Sequence, residues 1–196
     1  MRRKKILVTG ITGGLGTLIA SKLAPHCDLY GTTTQKEKIN ERIFYLDYTK
    51  KEKKISLLLF EIPWDGVVLN AGIGIIGDPL EFEDQEMEKI FRINVMGPLM
   101  MLKKLKKSPK KLVFISSKCI FHDRPGLKIY SSTKQILGEI LEDLYGEKLI
   151  IFYPDSMKTD MKIQFCKHMQ KKVWRPIETD WEDPREYVNK IYDFLL

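Results

Sequence analysis

Cysteine and histidine are scarce in this sequence, with three residues of each among 196. The cysteines, Cys27, Cys119 and Cys166, are far apart and form no CxxC pair. The histidines also lack the spacing that is typical of metal ligands. These absences argue against a disulfide framework and against a metal site, and they predict free thiols in a reducing compartment.

A long hydrophobic run is also missing. The first apolar segment, 6–8, follows the residues MRRKK and is too short for the core of a signal peptide or for a membrane span. The sequence contains no internal repeat and no low-complexity tract. Hydrophobic and charged residues make up 43% and 30% of the chain, which are ordinary globular values. We therefore expect a cytoplasmic protein that has no membrane partner.

Acidic residues are outnumbered, since 26 Asp and Glu against 33 Lys and Arg leave a net charge of +7. A basic surface can bind nucleic acid. The lysine pairs, however, lie at the ends of the predicted helices and strands, and no aromatic residues stand between them to stack on bases. We interpret the charge as a solvated, lysine-rich exterior and do not expect nucleic acid to be a partner.

What the sequence does contain is an alternation of short apolar runs and longer helical patterns. The length favours a single domain, 1–196. The apolar runs lack polar alternation, which is typical of parallel strands covered on both faces. The predicted strands are 6–8, 28–31, 42–46, 66–69, 111–115 and 148–153. The predicted helices are 15–23, 51–60, 83–107, 130–145 and 184–196, with Asp183 as the N-cap of the last. This order predicts an α/β protein with a doubly wound parallel sheet.

A glycine-rich turn follows the first strand and opens the first helix. It reads Thr9-Gly10-Ile11-Thr12-Gly13-Gly14-Leu15-Gly16. Glycines let the backbone approach a pyrophosphate, and the helix N-terminus presents free N–H groups to it. The candidate phosphate-binding residues are Gly10, Thr12, Gly13, Gly14, Leu15 and Gly16. A tight strand-to-helix turn without a ligand is the alternative interpretation.

Further motifs follow later strands. Asn70-Ala71-Gly72 comes after the fourth strand, where small residues leave space for a ligand across the sheet edge. Ser116-Ser117 ends the fifth strand. Tyr130 and Lys134 lie one helical turn apart, so an ammonium group beside the phenol would make Tyr130 an acid near neutral pH. Alone, such a pair is more typical of a helix surface; in this order of motifs it predicts a catalytic pair.

In this order the motifs resemble those of the short-chain dehydrogenase/reductase family, over residues 4–161. The resemblance implies a Rossmann fold and hydride transfer between a nicotinamide cofactor and a small-molecule carbonyl/alcohol pair. It implies that Tyr130 is the general acid, that Lys134 lowers the tyrosine pKa and holds the ribose, and that Ser117 hydrogen-bonds the carbonyl oxygen. Asn94 matches the helix asparagine of the family and would hold a water that relays protons to Lys134.

The resemblance also assigns cofactor contacts beyond the glycine-rich turn. Asp47 and its neighbour Tyr48 would lie at the adenine, and Asn70-Ala71-Gly72 would border the cofactor at the sheet edge. Pro154 and Thr159 would lie at the nicotinamide. We therefore expect these residues to line one site with the catalytic set.

Three departures from the family pattern are visible. Asp155 stands where the family often has glycine, which adds a negative charge near the nicotinamide. Leu69 replaces a common asparagine. The C-terminal part is short and shows no seventh strand, and residues 155–183 would form a small substrate flap. An alternative function is therefore a non-catalytic NAD(P)-binding sensor or scaffold of the same fold.

The second predicted strand ends without an acidic residue, which bears on the choice of cofactor. Thr32, Thr33 and Thr34 are followed by Lys36, and hydroxyl groups with a cation suit a 2′-phosphate better than a ribose hydroxyl. Gly13, however, stands where many NADPH-dependent relatives have a basic residue. We expect NADP(H) to be favoured over NAD(H).

Apolar columns in the predicted helices predict a homodimer. One column can cover the sheet, and the other requires a partner. The resemblance implies that helices 83–107 and 130–145 pair across a two-fold axis. The two columns of helix 130–145 are Ile136, Ile140 and Leu144, and Leu137, Leu141 and Tyr145.

Overall fold

The computed structural model describes residues 2–50, 57–122, 124–155 and 182–196. The strands of this part are β1 (Lys5–Val8), β2 (Asp28–Thr33), β3 (Ile43–Tyr45), β4 (Gly66–Leu69), β5 (Lys111–Ile115) and β6 (Leu149–Phe152). They form one sheet in the spatial order β3-β2-β1-β4-β5-β6, and neighbouring strands are parallel. The predicted doubly wound α/β fold is confirmed.

Helices pack on both faces of the sheet. In the described ranges they are α1 (Gly14–Leu23), α2 (Leu58–Glu61), α3 (Asp84–Phe91), α4 (Gly97–Lys104), α5 (Lys128–Tyr145) and α6 (Pro184–Leu195). The predicted start of α6 is confirmed, because the Asp183 side chain accepts a hydrogen bond from the Arg185 N–H and Pro184 occupies the first turn. None of the helices in these ranges is long and apolar enough to cross a membrane.

The side chains of β1 show why the strands are apolar at successive positions. Leu7 belongs to one buried cluster, together with Met101 of α4 and Leu137 of α5. Ile6 and Val8 belong to the opposite cluster, which contains residues of α1 and α6. Since helices cover both faces, neighbouring residues of a strand are buried on opposite sides of the sheet.

The helix predicted for 83–107 is interrupted in the structure. A π-helical turn, Arg92–Met96, joins α3 to α4. Such turns contain one additional residue, and the apolar periodicity of a sequence does not reveal that shift. The helix predicted for 51–60 lies mostly outside the described residues, and its described part, 57–60, overlaps α2. Strand β2 continues to Thr33, beyond the predicted end at residue 31.

The order of the strands determines where the predicted motifs meet. The chain proceeds from β1 outward to β2 and β3, and then returns to build β4, β5 and β6 on the other side of β1. The loops after β1 and β4 therefore diverge and leave a crevice at the carboxyl ends of the strands, where ligands bind in open α/β sheets.

Candidate active site

A cavity of about 430 Å³ lies at the carboxyl edge of the sheet. Its wall combines residues that follow each of the six strands, so it brings together segments that are far apart in the sequence. The predicted site residues that line it are Gly10, Thr12, Gly13, Gly14, Leu15, Thr32, Thr33, Thr34, Asp47, Tyr48, Asn70, Ala71, Gly72, Ser117, Tyr130, Lys134 and Pro154.

Three predicted residues are not part of this wall. Gly16 packs behind the glycine-rich turn, where an added Cβ would lie 2.2 Å from the Gly10 carbonyl oxygen. Asn94 is buried beside the cavity, with 1% of its surface exposed. Thr159 lies outside the described residues, as does most of the predicted flap 155–183.

Hydrogen bonds join the turn after β1 to the loop after β4. Thr9 Oγ1 accepts from the N–H groups of Asn70 and Ala71, each at 3.0 Å. The Asn70 side chain donates in return to the carbonyl oxygens of Thr9 at 3.0 Å and Gly10 at 3.2 Å. Gly10 has φ +64°, and a Cβ there would be 3.1 Å from Ala71 Cα. This close approach of the two loops therefore requires glycine.

The threonines at the end of β2 organise the wall on the predicted adenosine side. Thr32 Oγ1 accepts from the Gly10 N–H at 3.2 Å. Thr33 Oγ1 lies 2.8 Å from Thr12 Oγ1 and accepts from the Gln35 N–H at 3.0 Å. Both threonines are buried. Each of these hydroxyl oxygens thus accepts a hydrogen bond from the protein itself. Donation from the threonine hydroxyls to a phosphate stays a prediction.

The rim on this side presents Thr34 and Asp47 to the cavity. Thr34 is exposed, whereas Lys36 starts a short 3₁₀ turn, Lys36–Lys38, and does not line the cavity. The Asp47 carboxylate accepts from the N–H and hydroxyl of Thr49 at 3.0 and 2.6 Å and pairs with Lys50 at 3.5 Å. Burial opposes ionisation of Asp47, but these contacts outweigh it and lower the pKa.

The predicted reacting side chains lie together at the other end of the cavity. Tyr130 and Lys134 project from the buried face of α5, with 8% and 5% of their surfaces exposed. Lys134 Nζ donates to the Ile115 carbonyl at 2.9 Å and lies 5.9 Å from the centre of the Tyr130 ring. Ser117, the second residue after β5, forms a hydrogen bond with Tyr130. The structure therefore brings the predicted Ser117, Tyr130 and Lys134 to one place.

Burial controls the ionisation of this pair. It raises the pKa of Tyr130, with a further contribution from the Cys119 thiol, and the hydrogen bond with Ser117 opposes it. It also lowers the pKa of Lys134 to about 8, because a low-dielectric environment disfavours the charged form of each group. Burial is therefore the largest influence on the pKa of each group. The role of Tyr130 as an acid near neutral pH stays a prediction.

The Asn94 side chain binds the loop after β4 and does not face the cavity. Its Oδ1 accepts from the Ile73 N–H at 2.9 Å, and its Nδ2 donates to the Ile73 carbonyl at 2.8 Å and to Thr133 Oγ1 at 3.0 Å. A Cβ on Gly72 would lie 3.1 Å from Lys134 Nζ and 3.3 Å from Asn94 Oδ1. Asn94 is thus a neighbour of Lys134 that fixes the loop position. The water relay stays a prediction.

Several cavity residues were not predicted as ligand contacts. They are Gln35, Leu46, Ile73, Ile93, Ile115, Ser116, Cys119, Arg124, Leu127 and Asp155. One signal was available in the sequence: the connection between Ser117 and Tyr130 must cross the sheet edge, so its residues are expected to border a site there.

Asp155, the residue that replaces the family glycine, belongs to a network of paired charges. It forms an ion pair with Arg124 at 2.7 Å, and its N–H donates to Glu182 Oε2 at 2.8 Å. Glu182 also accepts from Tyr187 Oη at 2.6 Å and pairs with Lys118. The network joins the loops after β5 and β6 to the start of α6. The Arg124 guanidinium therefore neutralises the negative charge of Asp155, which the sequence places beside the nicotinamide.

The N-terminus of α1 fits a dinucleotide phosphate. Gly13 is its N-cap and provides no side-chain cap, and the first turn contains no acidic residue. Its N–H groups and its partial positive charge are therefore available to an anion at the cavity wall. The Gly13 N–H donates to the Gly10 carbonyl at 3.0 Å, so the N–H groups of Gly14 and Leu15 would hold a nicotinamide dinucleotide here. Asp47 would lie at one end of it and Lys134 at the other.

Comparison with known proteins identifies this arrangement. The chain has the fold and the glycine-rich turn of a nicotinamide-dinucleotide-binding protein. The model of the short chain dehydrogenase family matches residues 4–170. The chain therefore belongs to that family of oxidoreductases. It is 30% identical over 200 aligned residues to a diacetyl reductase [(S)-acetoin forming] of Staphylococcus epidermidis, with 86% of this chain and 77% of the relative covered.

Solved structures show the same fold at low identity. A short chain dehydrogenase family protein from Francisella tularensis superimposes with a TM-score of 0.83 at 19% identity, covering 99% of this chain and 91% of that one. A 3-ketoacyl-(acyl-carrier-protein) reductase from Brucella melitensis, complexed with NADH, gives 0.77 at 19% identity, covering 100% and 91%.

Lys134→Met tests the ionisation of the buried ammonium group. The pKa of Lys134 is about 8 in the folded protein and 10.5 ordinarily. Between these two pH values, Lys134 therefore binds a proton in the unfolded chain but not in the folded one. Stability of the wild type should therefore rise with pH relative to the variant. From pH 7 to about 9.5, we expect the unfolding free energy of the wild type to rise by about 2 kcal/mol relative to that of the variant. Denaturant unfolding measures this, and equal pH dependences would contradict it.

Proposed function

We propose that the protein is an NADP(H)-dependent oxidoreductase that interconverts a small carbonyl compound and its alcohol. The observation that carries the proposal is the convergence of Ser117, Tyr130 and Lys134 in a cavity that the glycine-rich turn also lines. The similarity to a diacetyl reductase supports a small carbonyl as substrate. Free thiols at Cys27 and Cys119 support a cytoplasmic site of action.

In this proposal, the chain's own residues polarise the carbonyl and supply its proton. When bound, the nicotinamide cofactor supplies the hydride. Ser117 donates a hydrogen bond to the carbonyl oxygen as negative charge develops there, and Tyr130 Oη gives that oxygen its proton. Lys134 Nζ holds positive charge beside the phenol and reaches the ribose hydroxyls. The buried position of all three side chains excludes water from the reacting atoms and strengthens these interactions.

The alternative, a binding protein without turnover, depends on Asp155. An unmatched carboxylate beside the nicotinamide would stabilise the oxidised, cationic ring relative to the neutral, reduced one. The ion pair with Arg124 matches this charge. A Tyr–Lys pair buried in the cavity would also be unnecessary for binding alone. Both observations favour the enzyme over the sensor or scaffold.

Tyr130→Phe tests the proposed reaction. We expect the variant to lose about 10²–10⁴-fold in kcat, because it lacks the proton donor, and to bind NADPH as the wild type does. A panel of carbonyl compounds that begins with diacetyl is assayed by absorbance of the reduced cofactor, and calorimetry measures binding. Tyr192→Phe, on α6 and outside the cavity, is the matched control. Unimpaired kcat in the Tyr130→Phe protein would disprove the assignment.

The preference for NADP(H) is proposed from the end of β2. No acidic residue lines the cavity among the residues that follow this strand, and Thr34 is exposed there. An added carboxylate would repel a 2′-phosphate, whereas a hydroxyl can donate to it. The buried hydroxyls of Thr32 and Thr33 support the wall, so Thr34 is the residue on which the preference should depend.

Thr34→Asp tests this cofactor preference. We expect the wild type to bind NADPH about tenfold more tightly than NADH at low salt, and the difference to narrow as salt rises. The variant should reverse the order, because a carboxylate repels the 2′-phosphate. Thr34→Asn is the control, because it changes the shape of the side chain without adding charge. It should leave the order of the two affinities unchanged. Calorimetry in which the wild type binds NADH as tightly as NADPH would contradict the proposal.

A homodimer through α4 and α5 is proposed from the apolar residues these helices expose. On α5, Leu137 and Leu141 are buried, whereas Ile136 and Leu144 are 37% and 62% exposed. Met100 of α4 is 40% exposed. One predicted column thus covers the sheet, and the other lies on the surface, where burial against a second copy would remove it from water.

Leu144→Glu tests the dimer. We expect the wild type to be a dimer by light scattering and the variant to be a monomer, because two-fold symmetry would place two carboxylates in one apolar interface. Leu80→Glu is the control, since Leu80 is 94% exposed and lies away from α4 and α5. A monomeric wild type at tens of micromolar would refute the proposal.

A further inference from the structure

Ser116 has a hydroxyl group that is buried and has no hydrogen-bond partner. It directly follows β5, and 3% of its surface is exposed. Its N–H donates to the Phe152 carbonyl at 2.8 Å, so the backbone is satisfied. Within the described part of the chain, Ser116 Oγ is the one buried side-chain nitrogen or oxygen without a partner. A buried polar atom in this state destabilises a protein, so its presence calls for an explanation.

The position of Ser116 supplies that explanation. The residue lines the same cavity as the reacting side chains. It lies between Ile115, whose carbonyl accepts from Lys134 Nζ, and Ser117. Other hydroxyls of this wall, such as those of Thr32 and Thr33, are engaged by neighbouring residues. The unpartnered hydroxyl is therefore found at the reacting end and not at the adenosine end.

The distance between the two ends fits a dinucleotide. In the sheet, β1 and β4 separate β5 from β2. Neighbouring strands are about 4.8 Å apart, so the end of β5 lies roughly 14 Å from the end of β2. A ligand whose adenosine lies beside Thr34 and whose pyrophosphate lies at α1 would place its second nucleoside over the end of β5.

We propose that Ser116 is a cofactor-binding residue whose hydroxyl hydrogen-bonds a polar group of the nicotinamide nucleoside. This inference rests on the proposed function, since it takes the ligand to be a nicotinamide dinucleotide. A hydroxyl can donate and accept, so it suits the carboxamide or ribose hydroxyls of that half. Ser116 is buried and lines the cavity at the end of β5, next to Ser117 in the chain.

Ser116→Ala should have opposite effects on the free protein and on the complex. In the free protein, the variant removes a buried group that has no partner, so the melting temperature should rise. In the complex, it removes one neutral hydrogen bond, so affinity for the dinucleotide should fall about five- to tenfold. A serine with a purely structural role would show loss of stability and no effect that depends on the nicotinamide.

The experiment compares the full-length wild type, Ser116→Ala and a matched control. Ser131→Ala is the control because Ser131 is also buried, but its hydroxyl donates to the Lys128 carbonyl at 2.9 Å. Calorimetry measures the affinities for NADPH and for 2′-phospho-ADP, which lacks the whole nicotinamide nucleoside. The pair NADH and ADP is measured in parallel, so that the result does not depend on the 2′-phosphate. Thermal unfolding without ligand completes the set.

We expect Ser116→Ala to weaken NADPH and NADH binding and to leave both fragments bound as in the wild type. Equal losses for dinucleotide and fragment, or no loss for either, would overturn the inference and leave the proposed function intact. A raised KM for the carbonyl with unchanged cofactor affinity would assign the hydroxyl to the substrate and would also overturn it. A wild type that binds none of the four nucleotides would overturn the proposed function itself, and this inference with it.

Discussion

The site depends on the hydrogen bonds that join the turn after β1 to the loop after β4. The two strands are neighbours, but the chain leaves them in opposite directions, so the strands alone do not determine how far apart their loops lie. Thr9 accepts from the backbone of the β4 loop, and Asn70 donates back to the β1 turn. These reciprocal contacts hold the glycine-rich turn in place before a ligand arrives, which lowers the entropic cost of binding.

The reacting end of the cavity contains a buried cation that lies near two aromatic rings. Lys134 Nζ lies 5.2 Å from the centre of the Phe114 ring and 5.9 Å from that of Tyr130. At the rim, Arg124 is paired with Asp155. Negative charge that develops on a substrate oxygen would therefore interact with Lys134 in a medium of low dielectric, and it would in turn favour the charged form of the lysine.

The features that the sequence revealed are those encoded locally. Apolar runs identified the strands, and a spacing of four residues placed Tyr130 and Lys134 on one helical face. Contacts between distant residues were not accessible in this way: Arg124 and Asp155 are 31 positions apart, and each looks like an ordinary surface charge in the sequence. The pKa values were also inaccessible, because they depend on burial in the folded protein, which reverses the effect expected from the Tyr–Lys pair alone.

The π-helical turn Arg92–Met96 has a consequence for how this chain can change over evolutionary time. One residue corresponds to about 100° of rotation around a helix axis. Deletion of a single codon within the turn would restore a regular helix, but either Asn94 would rotate away from Ile73 or Met101 would rotate out of the core. Point substitutions can accumulate along this helix, whereas insertions and deletions of one residue cannot, so the length of this segment should drift far less than its composition.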